Sequence, residues 1–249
     1  MEKENLSGNA ERPCCITSSS LIGCAVWAFT YRLTRDRERR REMLVTSLLF
    51  LAGGFFEPLN IGIYWSPESL SGLNSWLGLD VESFLFNFGF SGIAVTLPYA
   101  ILSKKIVPVE SRQYRKHFPF VLPVPLILFA IATFLAPRLI IWTTFLLFIS
   151  MTGTVLVFRP DLLRTLAAGA ILFSVVYSVY LSIAFLIVPG FISSWNIPAL
   201  SGIFLFNLPI EEVIFGFLYG AVAATAYKFL FGFGISGTSV SDRAGPGNA

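Results

Sequence analysis

Seven apolar runs of roughly twenty residues follow one another along the chain, at residues 14–33, 43–63, 80–102, 118–136, 139–158, 163–188 and 204–231. An α-helix needs about 20 apolar residues to cross the hydrocarbon core of a bilayer. Backbone polar groups find no water there, so only helices and closed barrels can span it. Barrel strands are about 10 residues long and alternate in polarity, which these runs do not. The pattern predicts an all-α, polytopic membrane helical bundle of seven transmembrane helices. Only 13% of the 249 residues are charged, against about 25% in soluble domains, and this excludes an ordinary soluble fold. The first run is the least apolar, because it contains Thr17, Ser18, Ser19 and Ser20. Acidic residues precede it and arginines follow it, the reverse of a signal peptide, so it is read as a span.

Charge sets the direction. Arg32, Arg35, Arg37, Arg39, Arg40 and Arg41 follow the first run, and Lys104, Lys105, Arg112, Arg115 and Lys116 follow the third. Arg159 and Arg164 follow the fifth, and Lys228 and Arg243 lie at the end; Lys3, Arg12 and Arg138 fall on the opposite side. Positive residues concentrate on the cytoplasmic side, so the N-terminus is expected outside and the C-terminus in the cytoplasm of a multi-pass cell-membrane protein. The net charge of +3 is thereby explained as a topology signal, and no nucleic-acid site is read. Cys14, Cys15 and Cys24 have neither paired partners nor metal-ligand spacing, and are read as packing residues. The expected organisation is a polar segment at 1–13, one transmembrane domain at 14–231 and a disordered tail at 232–249, rich in Gly and Ser.

An internal repeat subdivides the domain. Trp65-Ser-Pro-Glu-Ser-Leu-Ser-Gly72, leading to Gly78-Leu-Asp-Val-Glu-Ser-Phe-Leu-Phe86, is similar to Trp195-Asn-Ile-Pro-Ala-Leu-Ser-Gly202, leading to Asn207-Leu-Pro-Ile-Glu-Glu-Val-Ile-Phe215. Pro58 and Pro189 extend the match backwards. Repeat one is then 14–102, a connector helix 118–136, and repeat two 139–231. Three spans plus one connector make the repeats parallel, and parallel repeats place a ligand site at their interface.

Five acids, Glu57, Asp80, Glu82, Glu211 and Glu212, lie in or at the edges of the runs, all toward the expected outer face. Ionisable side chains in apolar spans are costly and mark functional sites by default. A desolvated carboxylic acid that keeps its proton is a usable acid catalyst. The plainer alternative is capping: Pro209 can open a helix with Glu211 and Glu212 in its first turn, and Asp80 can be an N-cap with Glu82 behind it. Recurrence in both repeats favours function. So does the aromatic setting of Phe84, Phe86, Phe88 and Phe90 after one set and Phe215, Phe217 and Tyr219 after the other, since aromatic faces stabilise cations. Singly, each Phe is better read as a lipid-facing or packing residue.

Other features carry less. Gly232-Phe-Gly-Ile-Ser-Gly237 fits a dinucleotide-binding glycine pattern but lacks the flanking strand and helix. His117 sits among Arg115 and Lys116, as a surface residue would. Lys228, the one lysine of the last run, lies too near its cytoplasmic end to act as a mid-membrane retinal anchor. Aspartate-rich diphosphate motifs are absent, and no metal site is expected.

At Asn207-Leu-Pro-Ile-Glu-Glu-Val-Ile-Phe215 the chain resembles the lycopene cyclase domain family, the non-flavin membrane carotenoid cyclases, whose two repeats each carry a Pro-x-Glu-Glu segment opening a Phe-rich helix. The resemblance extends over about residues 40–230; the first copy departs from it, with Asp80 in place of Pro and Ser83 in place of the second Glu. It implies redox-neutral, acid-initiated cyclisation of a linear polyene dissolved in the bilayer, with no cofactor required. It also implies Glu211 or Glu212 as the acid, Glu82 as counterpart, and Phe86 and Phe215 as cation stabilisers. Glu57 and Asn207 are added as substrate-lining residues. A homo-oligomer is compatible with this reading. Two alternatives stand beside it: a relative acting on another isoprenoid, and a proton-coupled transporter or receptor using the same acids.

Overall fold

The computed structural model describes residues 15–66, 78–102, 105–109, 123–188 and 190–235, with backbone alone over 15–19. Seven α-helices occupy them: α1 Cys15–Leu33, α2 Arg37–Leu51, α3 Val81–Thr96, α4 Pro123–Leu135, α5 Ile140–Phe158, α6 Leu163–Ile187 and α7 Ile210–Phe231. Five helical stretches, Arg37–Leu59, Val81–Ala100, Pro137–Phe158, Pro160–Ile187 and Ile210–Phe231, are long and apolar enough to cross a bilayer. Their outward faces carry exposed Val, Leu and Phe side chains such as Phe55, Val157 and Leu186. The chain is an all-α polytopic membrane bundle. The described part of α4 is 13 residues; residues 110–122, which include His117, lie outside the described residues. So do Cys14, the Leu70-Ser71-Gly72 element of the repeat, and Pro189.

Two local features shape the site. The side chain of Asp36 accepts from the Arg39 N–H at 3.1 Å and starts α2. After Leu51 the helix tightens into a 3-10 segment, Ala52–Leu59, containing Gly53, Gly54 and Pro58. Glycine is a weak helix former, and proline cannot donate to the ladder. A Cβ on Gly53 would come within 2.7 Å of the Asn87 side chain, and one on Gly54 within 2.6 Å of the Phe84 ring. The two glycines therefore let this segment lie directly on α3, with Glu57 facing inward.

The second feature is the start of α7. The run at 204–231 does not begin as helix: Phe204–Leu205 and Leu208–Pro209 form a small antiparallel hairpin, and helix begins at Ile210. Its turn residues Phe206 and Asn207 both have positive φ, 50° and 67°, as a two-residue hairpin turn of type I′ requires. The expected disorder from 232 onward also needs correction. Phe233–Ile235 pairs antiparallel with Ile106–Pro108, and the buried Arg159 guanidinium, paired with Asp161 at 2.7 Å, donates to the Phe233 carbonyl at 2.8 Å. Residues 236–249 lie outside the described residues.

α3 packs on α1 and α2, α7 packs on α5 and α6, and α3 meets α7 in the centre. Small residues permit the close crossings. A Cβ on Gly220 would sit 2.5 Å from the Gly169 carbonyl oxygen where α6 crosses α7, and one on Gly89 would sit 3.0 Å from the Gly23 backbone where α1 crosses α3. A buried ion pair, Glu42–Lys228, joins α2 to α7, and the Tyr99 hydroxyl donates to Glu42 at 2.6 Å.

Candidate active site

Residues from all seven helices line a cavity of about 540 Å³ whose walls are mainly aliphatic and aromatic. Three of the five predicted acids, Glu57, Glu82 and Glu212, line it, as do Phe86 and Phe215. Its lining runs along α7 from Glu212 through Phe215, Tyr219 and Val222 to Phe229. At 1.5 Å per residue that is about 25 Å of helix. Leu49, Phe56 and Leu126, from α2, its 3-10 extension and α4, border the cavity while remaining exposed on the outer surface. The cavity lining therefore includes exposed apolar side chains of the bundle.

Glu212 is the best-supported polar group in it. It sits in the first turn of α7, 4% exposed. Oε1 accepts from the Trp195 indole at 2.7 Å and from the Tyr64 hydroxyl, and Oε2 accepts from the Tyr177 hydroxyl at 2.8 Å. The indole can only donate, and a carboxylate is acceptor-only, so this arrangement suits the ionised form. Burial and the Glu212 charge raise the Tyr64 phenol above its ordinary range, which keeps it a neutral O–H donor. The donors come from three places: the loop after α2 for Tyr64, α6 for Tyr177, and the loop before the hairpin for Trp195. Gly216, one turn beyond Glu212, lets α7 approach Tyr177; a Cβ there would lie 3.0 Å from that ring.

An aromatic shell continues from this carboxylate. Tyr177 and Phe215 have ring centroids 5.9 Å apart, Phe215 and Tyr219 5.5 Å, and Phe86 and Tyr177 6.0 Å. Faces at such separations around an apolar cavity favour a cationic guest.

Glu57 lies at the same end. It is 8% exposed, the Ser83 and Trp65 side chains hydrogen-bond to its carboxyl, and Asp80 is close enough to interact with it electrostatically. Asp80 is buried and occupies the N-cap position of α3 without a capping side-chain hydrogen bond, so the capping explanation does not hold for it. Glu82 borders the cavity beside Ser20 of α1, whose hydroxyl donates to the Glu82 carbonyl at 2.9 Å.

Two expected site residues stand elsewhere. Glu211 is fully buried, but its Oε1 accepts from the Ser201 N–H at 2.6 Å and it does not line the cavity. Consecutive helical residues project roughly 100° apart, so α7 turns Glu212 inward and Glu211 toward the 200–203 loop. Asn207 is exposed in the hairpin turn; its sequence position beside the motif reflects the backbone conformation of that turn and not a contact with the cavity. Conversely, Tyr64 and Tyr177 are not among the residues that the acid pattern and its aromatic setting point to. A usable signal existed: a tyrosine in an apolar run carries a hydroxyl that must find a partner when buried.

The two repeats meet at this end of the cavity. The repeat-equivalent residues Trp65 and Trp195 form an antiparallel bridge, their rings 5.8 Å apart. Ser66 N–H donates to the Ser194 carbonyl at 2.7 Å and Asn196 N–H to the Tyr64 carbonyl at 2.9 Å. Equivalent segments that pair antiparallel are related by a local two-fold axis passing between them.

Comparison with known proteins adds one match. The family model described as lycopene cyclase matches residues 138–230, which contain α5, α6 and all of α7 but Phe231. No curated protein and no solved structure is significantly similar to the chain.

Proposed function

We propose that this chain, a member of the lycopene cyclase family through residues 138–230, cyclises the end group of a linear carotenoid, with lycopene as its substrate. The reading rests above all on Glu212, a carboxylate held by three donors at one end of a long apolar cavity. A slot about 25 Å long along α7 suits an extended hydrocarbon, and the exposed apolar side chains in its lining suit a substrate dissolved in lipid. Cyclisation of such a chain begins when a carboxylic acid protonates the terminal double bond. The carbocation is attacked by a neighbouring double bond, closing a ring, and a base removes a ring proton. Reactant and product are isomers, so no electrons are supplied or removed. Phe86, Phe215, Tyr177 and Tyr219 surround the site where positive charge develops and lower its energy relative to hydrocarbon alone.

The cavity walls also favour this reading over solute transport. A proton-coupled transporter needs a polar path to one aqueous side, whereas most of the lining residues here are apolar, the exposed Leu49, Phe56 and Leu126 among them. The proposed orientation puts the acids in the outer half of the bilayer, with the N-terminus outside and the C-terminus in the cytoplasm.

The test is expression in cells that accumulate lycopene, followed by pigment analysis. Monocyclic or bicyclic carotenoids are expected with the wild-type chain and are lost with Glu212→Gln. Unchanged lycopene in the presence of well-folded wild-type protein removes lycopene as the substrate.

A further inference from the structure

The first repeat lacks one carboxylate on its helix. Ser83 stands at the position equivalent to Glu212, each directly following the first glutamate of its copy. A sequence comparison alone therefore leaves the site with an acid on one side of the local two-fold axis only. The structure shows what occupies the other side. Trp195 donates to Glu212; its equivalent, Trp65, donates instead to Glu57, and Ser83 hydrogen-bonds to the same carboxyl. Glu57 comes from the 3-10 segment after α2, which Gly53 and Gly54 let settle against α3. Its carboxyl has been brought to the end of the Ser83 side chain, where a glutamate on α3 would have reached. Glu57 and Glu212 both line the cavity, and Trp65 and Trp195 have ring centroids 5.8 Å apart.

The two carboxyls differ in their hydrogen bonding. Glu212 accepts from three donors through both of its oxygens. Glu57, more than nine-tenths buried, has Oε1 without a hydrogen-bond partner among the described residues. A buried carboxyl with a free oxygen at an apolar cavity is suited to hold a proton and give it to a bound double bond, whereas one saturated with donors is suited to remain an anion.

We infer that Glu57 is the proton donor of the cyclisation and Glu212 the proton acceptor, so that the acid missing from α3 is supplied by the segment after α2. This rests on the cyclase reading above. The Glu57 O–H bond breaks as a C–H bond forms at the terminal alkene. The ring C–C bond forms from the electron pair of the next alkene, and Glu212 takes the ring proton as the new double bond forms. One proton is consumed and one released, and its return from Glu212 to Glu57 resets the site.

The experiment uses the full chain in detergent or membranes with lycopene, comparing wild type with Glu57→Gln, Glu57→Asp, Glu212→Gln and the double variant Glu57→Gln/Ser83→Glu. Each is checked as a monodisperse species with bound lycopene seen by its visible absorption. An inactive wild type overturns the cyclase reading itself. With an active wild type, Glu57→Gln is expected to bind lycopene but lose at least 100-fold in rate. Ser83→Glu added to it is expected to restore at least 10-fold, by placing a carboxyl at the same point from α3. Glu57→Asp is expected to remain active with the alkaline limb of its pH–rate profile displaced, because the donor must be protonated. The assignment is overturned if Glu57→Gln stays within threefold of wild type while Glu212→Gln is inactive, if Glu57→Gln no longer binds lycopene, or if Glu57→Asp displaces the acid limb.

Discussion

Glu211 and Glu212 are neighbours in sequence with different surroundings. Glu212 gathers Tyr64, Tyr177 and Trp195 at the cavity, while Glu211 holds the Ser201 amide. A hydrogen bond to a charged group contributes about 1.5–3 kcal/mol. Glu211→Ala is therefore expected to lower stability by about that amount, read as a reduced thermal midpoint in detergent, while the folded fraction still cyclises. Tyr177→Phe removes one donor from Glu212 and keeps the ring. A loss of about 1.4 kcal/mol in transition-state stabilisation is tenfold in rate, and a drop of roughly this size is expected in cyclisation assays, with folding unchanged. The acids as a class were legible in the sequence, because charge in an apolar run is rare. Which of two adjacent glutamates faces the cavity was not, since that depends on the rotation of α7 against its neighbours.

Helices α6 and α7 cross where Gly169 and Gly220 touch backbone to backbone. Gly169→Leu must push the helices apart and is expected to abolish recovery of a monodisperse protein by size-exclusion chromatography. Gly153→Ala, on α5 with open space around it, is expected to behave as wild type. The α2–α7 contact depends on the buried Glu42–Lys228 pair. Removing one partner of a buried pair costs about 3–5 kcal/mol, whereas replacing both with apolar residues is often neutral. Lys228→Met alone is expected to reduce the thermal midpoint sharply, and Glu42→Met in the same chain is expected to recover most of the loss. Hydropathy located α5 and α6 to within a residue, but its second run began after Glu42 and its last began six residues before α7. It did not find the hairpin before α7 or the 3-10 continuation of α2, because both arise from local backbone demands at Phe206-Asn207 and Gly53-Gly54 that leave mean hydropathy unchanged.

At the scale of the whole molecule, the alternation of Lys and Arg between the spans predicts an outer N-terminus and a cytoplasmic C-terminus. Fused reporters check it: a C-terminal fluorescent protein is expected to mature and fluoresce, and an N-terminal alkaline phosphatase to be active. An inactive phosphatase beside a fluorescent C-terminus would show that the first helix does not cross, and would leave an even number of spans. The sequence by itself determined the membrane class, the helix positions and the set of candidate acids, since each follows from local composition and the impossibility of unsatisfied backbone in lipid. The likeness between the segments that begin at Trp65 and Trp195 was visible in it as well. Tertiary structure alone decided which acids share a cavity. Glu57 and Ser83 lie far apart along the chain, and no periodicity couples them. They meet because two glycines let one segment approach α3.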